Sequence, residues 1–371
     1  MLRNRLCDVF FREPVNLDRL HLFCYIESME KFSEAEIQLL VVIASFRSRY
    51  KLMMGLDLDA PASAANLRAF GETWIGRYVE DREDWRAAFD SLVEKGLIEE
   101  SEGAYSLTAG GAKISKAIER VSPLWLYEYD NFYHAAALSS AHTRLCREVY
   151  GEDLSQHGLA DLDQLDSLIA ALGLKPADNV LDAGCGNGRI TSYLQRLTGA
   201  SFLGIDLSRE AIKQANQIAT DKLRFQVGNL NDLALPVRSF DAVISVDTLY
   251  YVENLEATVA GLVELLKAGG RFAAFFSQWV MDASEAGRLL ADRTDLAEVL
   301  SKLGLKYETI DLTREHESHW KRKLAALESL KAEFEREGNL KLYEYRFSEA
   351  SRYAAWDGRK TSRYLYTARV V

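Results

Sequence analysis

Residues 180 to 188 read as an apolar run, Val180 to Ala183, entering a turn that carries Gly184, Gly186 and Gly188. Glycines at this spacing let the backbone come close to a ligand, and a helix starting near Arg189 would direct its first N–H groups outward. On its own such a loop is weak, because dinucleotide folds and others use one. It has an acidic companion here. The stretch SFLGID ends at Asp206, about 18 residues past Gly188, where a carboxylate can accept both ribose hydroxyls of an adenosine at the end of a second strand. The chemistry implied is capture of an adenosine-bearing ligand over a glycine turn.

The elements that position these residues alternate in type. After SFLGID come a third strand, LRFQV, and a fourth, FDAVISV, running to Asp247. A helix, NLEATVAGLVELLKAGG, then leads to a fifth strand, RFAAFFS. Strand and helix repeating through short loops give a largely parallel sheet with its ligand at the strands' carboxyl ends. Upstream, DLDQLDSLIAALGL reads as an amphipathic helix closing at Gly173. Downstream lie a helix-rich insertion, a strand-like KYETIDLT, a charged helix HESHWKRKLAALESLKAEFEREGN and a terminal alternating strand, SRYLYTARVV.

The first third has a different grammar. Ser33 with Glu36 forms a capping box ahead of a helix, and a second helix is expected in ASAANLRAFGETWIGRY. An amphipathic helix ending at Gly96 precedes strands Leu97 to Glu99 and Ala104 to Leu107, with a turn at Glu102-Gly103 and a further helix after Thr108. Pro123 marks a boundary before the aromatic stretch PLWLYEYDNFYH, expected as a helix packing two domains together. The expected division is 1–122, then connecting helices over 123–174, then 175–371 with a helical insertion around 280–340.

Four motifs in order make the resemblance. DAGCGNG fits the glycine loop of class I S-adenosylmethionine-dependent methyltransferases at its fixed positions; GIDLS, LPVRSFDAVISVDTLYYV and LLKAGGRFAAFFS resemble that family's next motifs, over about 175 to 280. The terminal strand and inserted helices are similar to its small-molecule branch. The resemblance implies an α/β Rossmann-like sheet with helices on both faces. It also implies S-adenosylmethionine as cofactor and S-adenosylhomocysteine as product. Carried over residue by residue, Gly184, Cys185 and Gly186 would pass beneath the methionyl part, with Asp182 orienting the loop. Asp206 would hold the ribose and Leu207 would lie beside the adenine. Asn229 and Leu230 would contact the adenine, with Asn standing where the family usually has an acid. Val246 and Asp247 would meet the methionyl amino group, and Tyr129 and Tyr133 are candidates to cover the cofactor. Strand-end capping is the plainer reading for Asp182 and Asp247. The helix–strand–turn–strand–helix order, with LVEKGLIE and YSLTAGG, resembles a winged-helix module, giving a mainly helical N-terminal domain that dimerises or caps the substrate.

Composition narrows the function. The chain of 371 residues is 48% hydrophobic and 27% charged, with 45 basic against 55 acidic residues, a net −10. That sign repels phosphate backbones, and the helix of the winged-helix-like module opens on Glu80, Asp81, Glu83 and Asp84 against Arg82 and Arg86, so no nucleic-acid partner is expected. No apolar run reaches membrane-spanning length and MLRNRLCDVFFREP lacks a signal-peptide core, so no membrane partner and a cytoplasmic location are expected. Cys7, Cys24, Cys146 and Cys185 form no CxxC pair, and the histidines give no metal-ligand set, so no metal is expected.

Methyl transfer needs in-line positioning and exclusion of water, and a base where the acceptor is a hydroxyl or ammonium. Candidates are Tyr250, Tyr251, His157 and His319, with His134, His142 and His316 also in reach. The expected function is methylation of a small-molecule acceptor at nitrogen or oxygen. The alternative is a cofactor-sensing winged-helix transcriptional regulator with a degenerate methyltransferase domain. Aromatics including Trp279, Trp320, Tyr343, Tyr345, Trp356 and Tyr364 would line a pocket suited to a cationic amine.

Overall fold

The structure, a computed structural model, describes residues 31–47, 52–53, 66–69, 72–75, 85–101, 104–121, 124–355 and 360–370. The chain divides into two compact units, Met1–Asn131 and Phe132–Val371. The division falls within a helix that begins just after Pro123.

In the first unit, α1 (Glu34–Arg47) is followed by β1 (Leu52–Met53), β2 (Asn66–Ala69), β3 (Glu72–Ile75), α2 (Trp85–Glu94), β4 (Ile98–Ser101), β5 (Ala104–Leu107) and α3 (Ala109–Val121). The long helix α4 (Leu124–Ala137) crosses the division. The capping box is complete: the Glu36 N–H donates to Ser33 Oγ at 3.2 Å and the Ser33 N–H to Glu36 Oε2 at 2.7 Å. Glu36 also pairs with Lys95. Apolar faces of α1, α2 and α3 meet β4 and β5 in one core around Leu39, Leu40, Phe89, Leu92, Leu107 and Ile118. Strands β1, β5 and β4 pair antiparallel in that order.

One expectation fails here. The segment 62–78, expected as a helix, contains the antiparallel pair β2–β3. Thr73, Trp74 and Ile75 are β-branched or aromatic and favour an extended, pleated surface, and Gly71 interrupts any helical run. The acidic opening Glu80 to Asp84, the turn Glu102-Gly103, Cys7, Cys24 and Trp356 lie outside the described residues.

The second unit adds α5 (Ser140–Tyr150), α6 (Leu162–Leu172), β6 (Asn179–Ala183), α7 (Arg189–Thr198), β7 (Ser201–Asp206), α8 (Arg209–Ala215), β8 (Leu223–Val227), β9 (Phe240–Val246), α9 (Leu255–Glu264) and β10 (Leu266–Trp279). It finishes with α10 (Asp295–Lys302), β11 (Tyr307–Asp311), α11 (Thr313–Arg336), α12 (Leu340–Ala354) and β12 (Thr361–Arg369). The seven strands run β11-β12-β10-β9-β6-β7-β8. From β10 to β8 the pairs are parallel; β12 inserts antiparallel between β10 and β11. Two cores cover the sheet's opposite faces, one around Val180, Phe202, Phe225 and Phe275, the other around Leu181, Val243, Phe272 and Tyr366.

Chain direction across the sheet reverses at β6. From there β7 and β8 go one way and β9 and β10 the other, which opens a crevice at the carboxyl ends of β6 and β9. The glycine turn and Asp247 both sit at that crevice. Helices α5, α11 and α12 form a further layer that the strand–helix alternation does not require. The C-terminal end of α11 caps α5: the Glu337 carboxylate accepts from the hydroxyls of Ser139 and Ser140 and from the Ala141 N–H.

Candidate cofactor and acceptor site

The glycine turn takes the conformation its composition permits. Gly184, Gly186 and Gly188 all have positive φ, at 88°, 54° and 74°. Two of them face close neighbours: a Cβ on Gly184 would collide with the Thr248 hydroxyl, and one on Gly186 with the Tyr133 hydroxyl. The N–H groups of Gly184 and Cys185 donate to the Ile205 carbonyl at 2.8 and 3.0 Å. The Gly186 N–H donates to Asp206 Oδ2 at 2.8 Å, and the Ser208 N–H to Oδ1 at 2.9 Å. Turn and carboxylate are thus fixed as one rigid piece, and a carboxylate oxygen has lone pairs enough to accept a ribose hydroxyl as well.

Asp182 lies beneath, 1% exposed, accepting from the Thr191 hydroxyl through Oδ2 at 2.7 Å. Its Oδ1 is buried with no hydrogen-bond partner, and burial pushes the carboxyl up to about 7. Tyr133 is buried over the turn, its phenol raised by burial and by the neighbouring Asp206. Leu207, Asn229, Leu230 and Val246 are half-buried at the strand ends. The Asn229 side-chain oxygen accepts from the Asn231 N–H at 2.9 Å, so this asparagine also shapes its own turn. Tyr129 belongs to the N-terminal unit, edge-on to Trp125 at 5.8 Å.

At the end of β9 the backbone of Asp247 is left-handed, φ 55°, a conformation that costs a non-glycine residue unless its surroundings enforce it. They do. Arg363, fully buried on β12, grips both carboxylate oxygens, with Nη2 to Oδ2 at 3.1 Å. The Leu159 N–H donates to Oδ2 at 2.8 Å and the Tyr250 hydroxyl to Oδ1 at 3.1 Å. Burial alone would raise this carboxyl; the Arg363 guanidinium and these donors hold it below its ordinary value. Arg363 also reaches the Gln164 side-chain oxygen at 3.0 Å and the Ser277 hydroxyl at 3.2 Å. The side chain of Asp247 is therefore spoken for within the protein, which leaves its backbone to face a ligand.

The candidate bases separate. The Tyr250 hydroxyl, besides donating to Asp247, accepts the Ser277 N–H at 3.0 Å. Tyr251 is 38% exposed. His157 Nε2 bonds the Tyr345 hydroxyl at 2.8 Å, and burial with Arg346 nearby holds its imidazole down at about 3. His319 is fully enclosed between Tyr150 and Trp320, and neither ring nitrogen has a partner. His142 is buried against Phe132 and Cys146, and His134 is half-buried on α4.

Sequence reasoning missed the charged heart of the helical layer. Lys323 and Arg346 are both fully buried, with Glu349 between them at 2.6 and 3.4 Å. Arg346 donates to the carbonyls of His157 and Gln156 and to the Tyr150 hydroxyl, each at 3.1 Å. Glu349 is held down at about 2: burial opposes this, and the two cations overcome it. Burial, abetted by Arg346 and moderated by Glu349, lowers Lys323 to about 8. A signal for Lys323 was present. His316, His319, Trp320, Lys323, Leu327, Leu330 and Phe334 recur at three- and four-residue steps, so this lysine stands on the helix's inward stripe.

With this geometry established, similarity to other proteins becomes informative. Residues 181–274 match the family described as Methyltransferase domain. The match spans the glycine turn, Asp206 and Asp247. A sterol 24-C-methyltransferase of Gibberella zeae is 30% identical over 141 residues, which is 37% of this chain and 36% of that protein. The 27-O-demethylrifamycin SV methyltransferase of Amycolatopsis mediterranei is 28% identical over 174 residues, 43% of this chain and 62% of that protein. The chain thus spans less than two thirds of either relative. Among solved structures, a phosphoethanolamine N-methyltransferase 2 of Haemonchus contortus superposes with a TM-score of 0.54 at 16% identity, over 65% of this chain and 59% of the other. The cyclase SpnF superposes with a TM-score of 0.51 at 14% identity, over 66% and 96%. These structures share the fold of the methyltransferase domain.

The domain's own residues fit S-adenosylmethionine. Asp206 has acceptor capacity for a ribose, and Asp182 has a buried carboxylate oxygen with no partner beside a turn where a methionyl ammonium would add a positive charge.

Proposed function

We propose that the chain is an S-adenosylmethionine-dependent methyltransferase that acts at oxygen or nitrogen of a small-molecule acceptor. The observation that carries this reading is the joined turn and carboxylate, Gly186 N–H to Asp206 at 2.8 Å, beside the unpartnered oxygen of Asp182. When bound, S-adenosylmethionine supplies an activated methyl group on a sulfonium. The remaining work falls to the chain. Asp206 orients the ribose, Gly184 and Gly186 hold the left-handed turn on which the methionyl part is seated, with Thr248 and Tyr133 packed against them, and Asn229 and Leu230 meet the adenine. Tyr133 covers the turn and excludes water. The Asp247–Arg363 pair, pinned by Tyr250, keeps the floor rigid so that an acceptor can be held in line.

The first unit, with its three-stranded antiparallel sheet among α1, α2 and α3, fits a winged-helix-like module serving to cap a substrate or to dimerise. The relatives named above are named for action on sterol carbon, on a rifamycin oxygen and on a phosphoethanolamine nitrogen.

Calorimetric titration with S-adenosylmethionine and with S-adenosylhomocysteine tests the cofactor site. Asp206→Ala should weaken binding by about 10-fold or more, equivalent to about 1.4 kcal/mol. Folded wild-type protein that binds neither ligand would sink the proposal.

A further inference from the structure

We propose that Arg346 on α12 is a positioning residue for the methyl-donor site. It sets the backbone of 156–158, and through that segment and Asp247 it holds the end of β9 beside which the methionyl part of the cofactor is seated. This rests on the methyltransferase reading above. It adds a residue, outside the glycine turn and its sheet, that decides how well the donor's amino-acid end is bound.

The segment concerned has no regular structure of its own. Residues 151–161, between α5 and α6, form neither helix nor strand, yet Leu154, Ser155, Gln156, Leu159 and Ala160 are buried. Ser155 is left-handed, with φ 53°. Buried backbone outside a helix or sheet needs other partners for its polar groups. Arg346, itself fully buried, supplies them: Nη2 donates to the Gln156 carbonyl and Nη1 to the His157 carbonyl, each at 3.1 Å. Nη2 also donates to the Tyr150 hydroxyl at 3.1 Å, which donates in turn to the Gly158 carbonyl at 3.0 Å. Three successive carbonyls are thus gathered on one guanidinium, two directly and one through a phenol. A planar fork of fixed geometry can do this, whereas an ammonium is a single point on a flexible stem.

The other side of the same segment meets the sheet. The Leu159 N–H donates to Asp247 Oδ2 at 2.8 Å. Gly158 lies so close that a Cβ on it would stand 2.7 Å from that oxygen and 2.9 Å from the Asp247 Cβ. Asp247 is the left-handed residue that follows β9, and its neighbour Thr248 donates its hydroxyl to the Gly184 carbonyl at 3.2 Å. Each link from Arg346 to the glycine turn is a hydrogen bond, a peptide bond or a direct packing contact. Releasing 156–158 therefore loosens the Leu159 N–H and lets Asp247 relax from a backbone conformation that only its surroundings enforce.

The cluster around Arg346 separates this role from plain stabilisation. Lys323 and Arg346 share Glu349, at 2.6 and 3.4 Å, so either cation alone still balances that carboxylate. Lys323 otherwise lies over the Trp320 ring at 4.6 Å and, among the described residues, makes no hydrogen bond to 156–159.

The test is calorimetry on the full chain with two ligands, S-adenosylhomocysteine and methylthioadenosine, the second of which keeps the adenosine and lacks the amino-acid end. Arg346→Lys, which retains the charge and loses the fork, should bind S-adenosylhomocysteine about 10-fold more weakly, the loss expected when roughly one hydrogen bond to the ligand is given up. Its affinity for methylthioadenosine, oriented at Asp206, should change by less than about 2-fold, since separate sites are nearly independent. Lys323→Met, which alters the same buried cluster without touching the segment, should bind both ligands as the wild type does. Gly158→Ala pushes on Asp247 from the segment's other side and should repeat the selective loss; it decides the matter if Arg346→Lys does not fold. Equal weakening of both ligands in Arg346→Lys, or the same selective loss in Lys323→Met, would mark Arg346 as a stabiliser of the fold and overturn the proposal. So would wild-type affinity for S-adenosylhomocysteine in Arg346→Lys or, where that variant does not fold, in Gly158→Ala. Folded wild-type protein that binds neither ligand is a separate result: it fells the methyltransferase reading and this inference with it.

Discussion

Two regions of the second unit solve opposite electrostatic problems. The sheet-end floor around Gly184 to Gly188 buries a carboxylate, Asp182, whose Oδ1 has no partner. The layer of α5, α11 and α12 buries cations and imidazoles: Lys323, Arg346, His142, His316 and His319. The floor therefore holds on to a proton and the layer refuses one. Both postures cost stability, and proteins keep such costs where a ligand's charge can offset them. A methionyl ammonium would suit the first region.

The largest effect expected from this contrast is acid sensitivity of the helical layer. The imidazoles of His142, His157, His316 and His319 are all lowered, chiefly by burial, His157 to about 3 and His316 to about 4. Below pH about 6.5 the unfolded chain takes up protons that the native layer rejects, so stability falls as pH drops from there toward 4. Each imidazole is worth up to about 1.4 kcal/mol per pH unit, and together they should remove several kcal/mol by pH 5. Hydrogen exchange at pH 7.5, 6 and 5 should show α5 and α11 losing protection while β6 and β7 keep theirs. If the central strands open first, the two regions do not differ as described.

A smaller effect of opposite sign belongs to the floor. Asp182 is raised from 3.8 to about 7 by burial, so the native state binds its proton more tightly than the unfolded chain does. Its penalty is absent below pH about 4, grows as pH rises to about 7 and is constant above. Asp182→Asn keeps an oxygen for the Thr191 hydroxyl and cannot ionise. Urea unfolding should show it stabilised by about 2 kcal/mol at pH 8, part of the full shift, with almost no change at pH 4. Calorimetry on the same variant should show weaker S-adenosylmethionine binding. A carboxylate that lowers stability and raises affinity is kept for its ligand; a variant unchanged in both would mark Asp182 as ordinary strand-end capping.

The two regions also differ in how far sequence exposed them. The floor is local: Asp182 to Gly188 is one turn, and Asp206 follows along the chain at the spacing a parallel sheet requires, so a linear reading reaches it. The strands β6 to β10, α6, α11 and β12 follow from periodicity for the same reason. The layer is assembled from distant segments. Arg346 meets His157 across 189 residues and Arg363 meets Asp247 across 116, and no spacing rule links such pairs. Helix α12 drew no attention because LKLYEYRFSEASRYA mixes aromatic and charged residues without a clean apolar stripe. Its buried face includes Arg346 itself. The β2–β3 pair was misread because its four-residue strands are shorter than any window in which helical and strand periods can be told apart.

The smallest effect probes how tightly Tyr133 closes on the glycine turn. Gly186 has φ 54°, and a Cβ there meets the Tyr133 hydroxyl first and its ring carbon Cζ next, at 3.1 Å. Gly186→Ala therefore carries two costs. One is the left-handed backbone, about 1 kcal/mol for an L-residue, and no change elsewhere relieves it. The other is the collision with the hydroxyl, which Tyr133→Phe removes. In a double-mutant cycle the alanine should cost less when combined with Tyr133→Phe than alone, by about 0.5 to 1 kcal/mol, in urea unfolding and in S-adenosylmethionine affinity alike. Strict additivity would mean that Tyr133 swings clear of the turn at no cost, and the floor would then lack the cover that excludes water from the methyl donor.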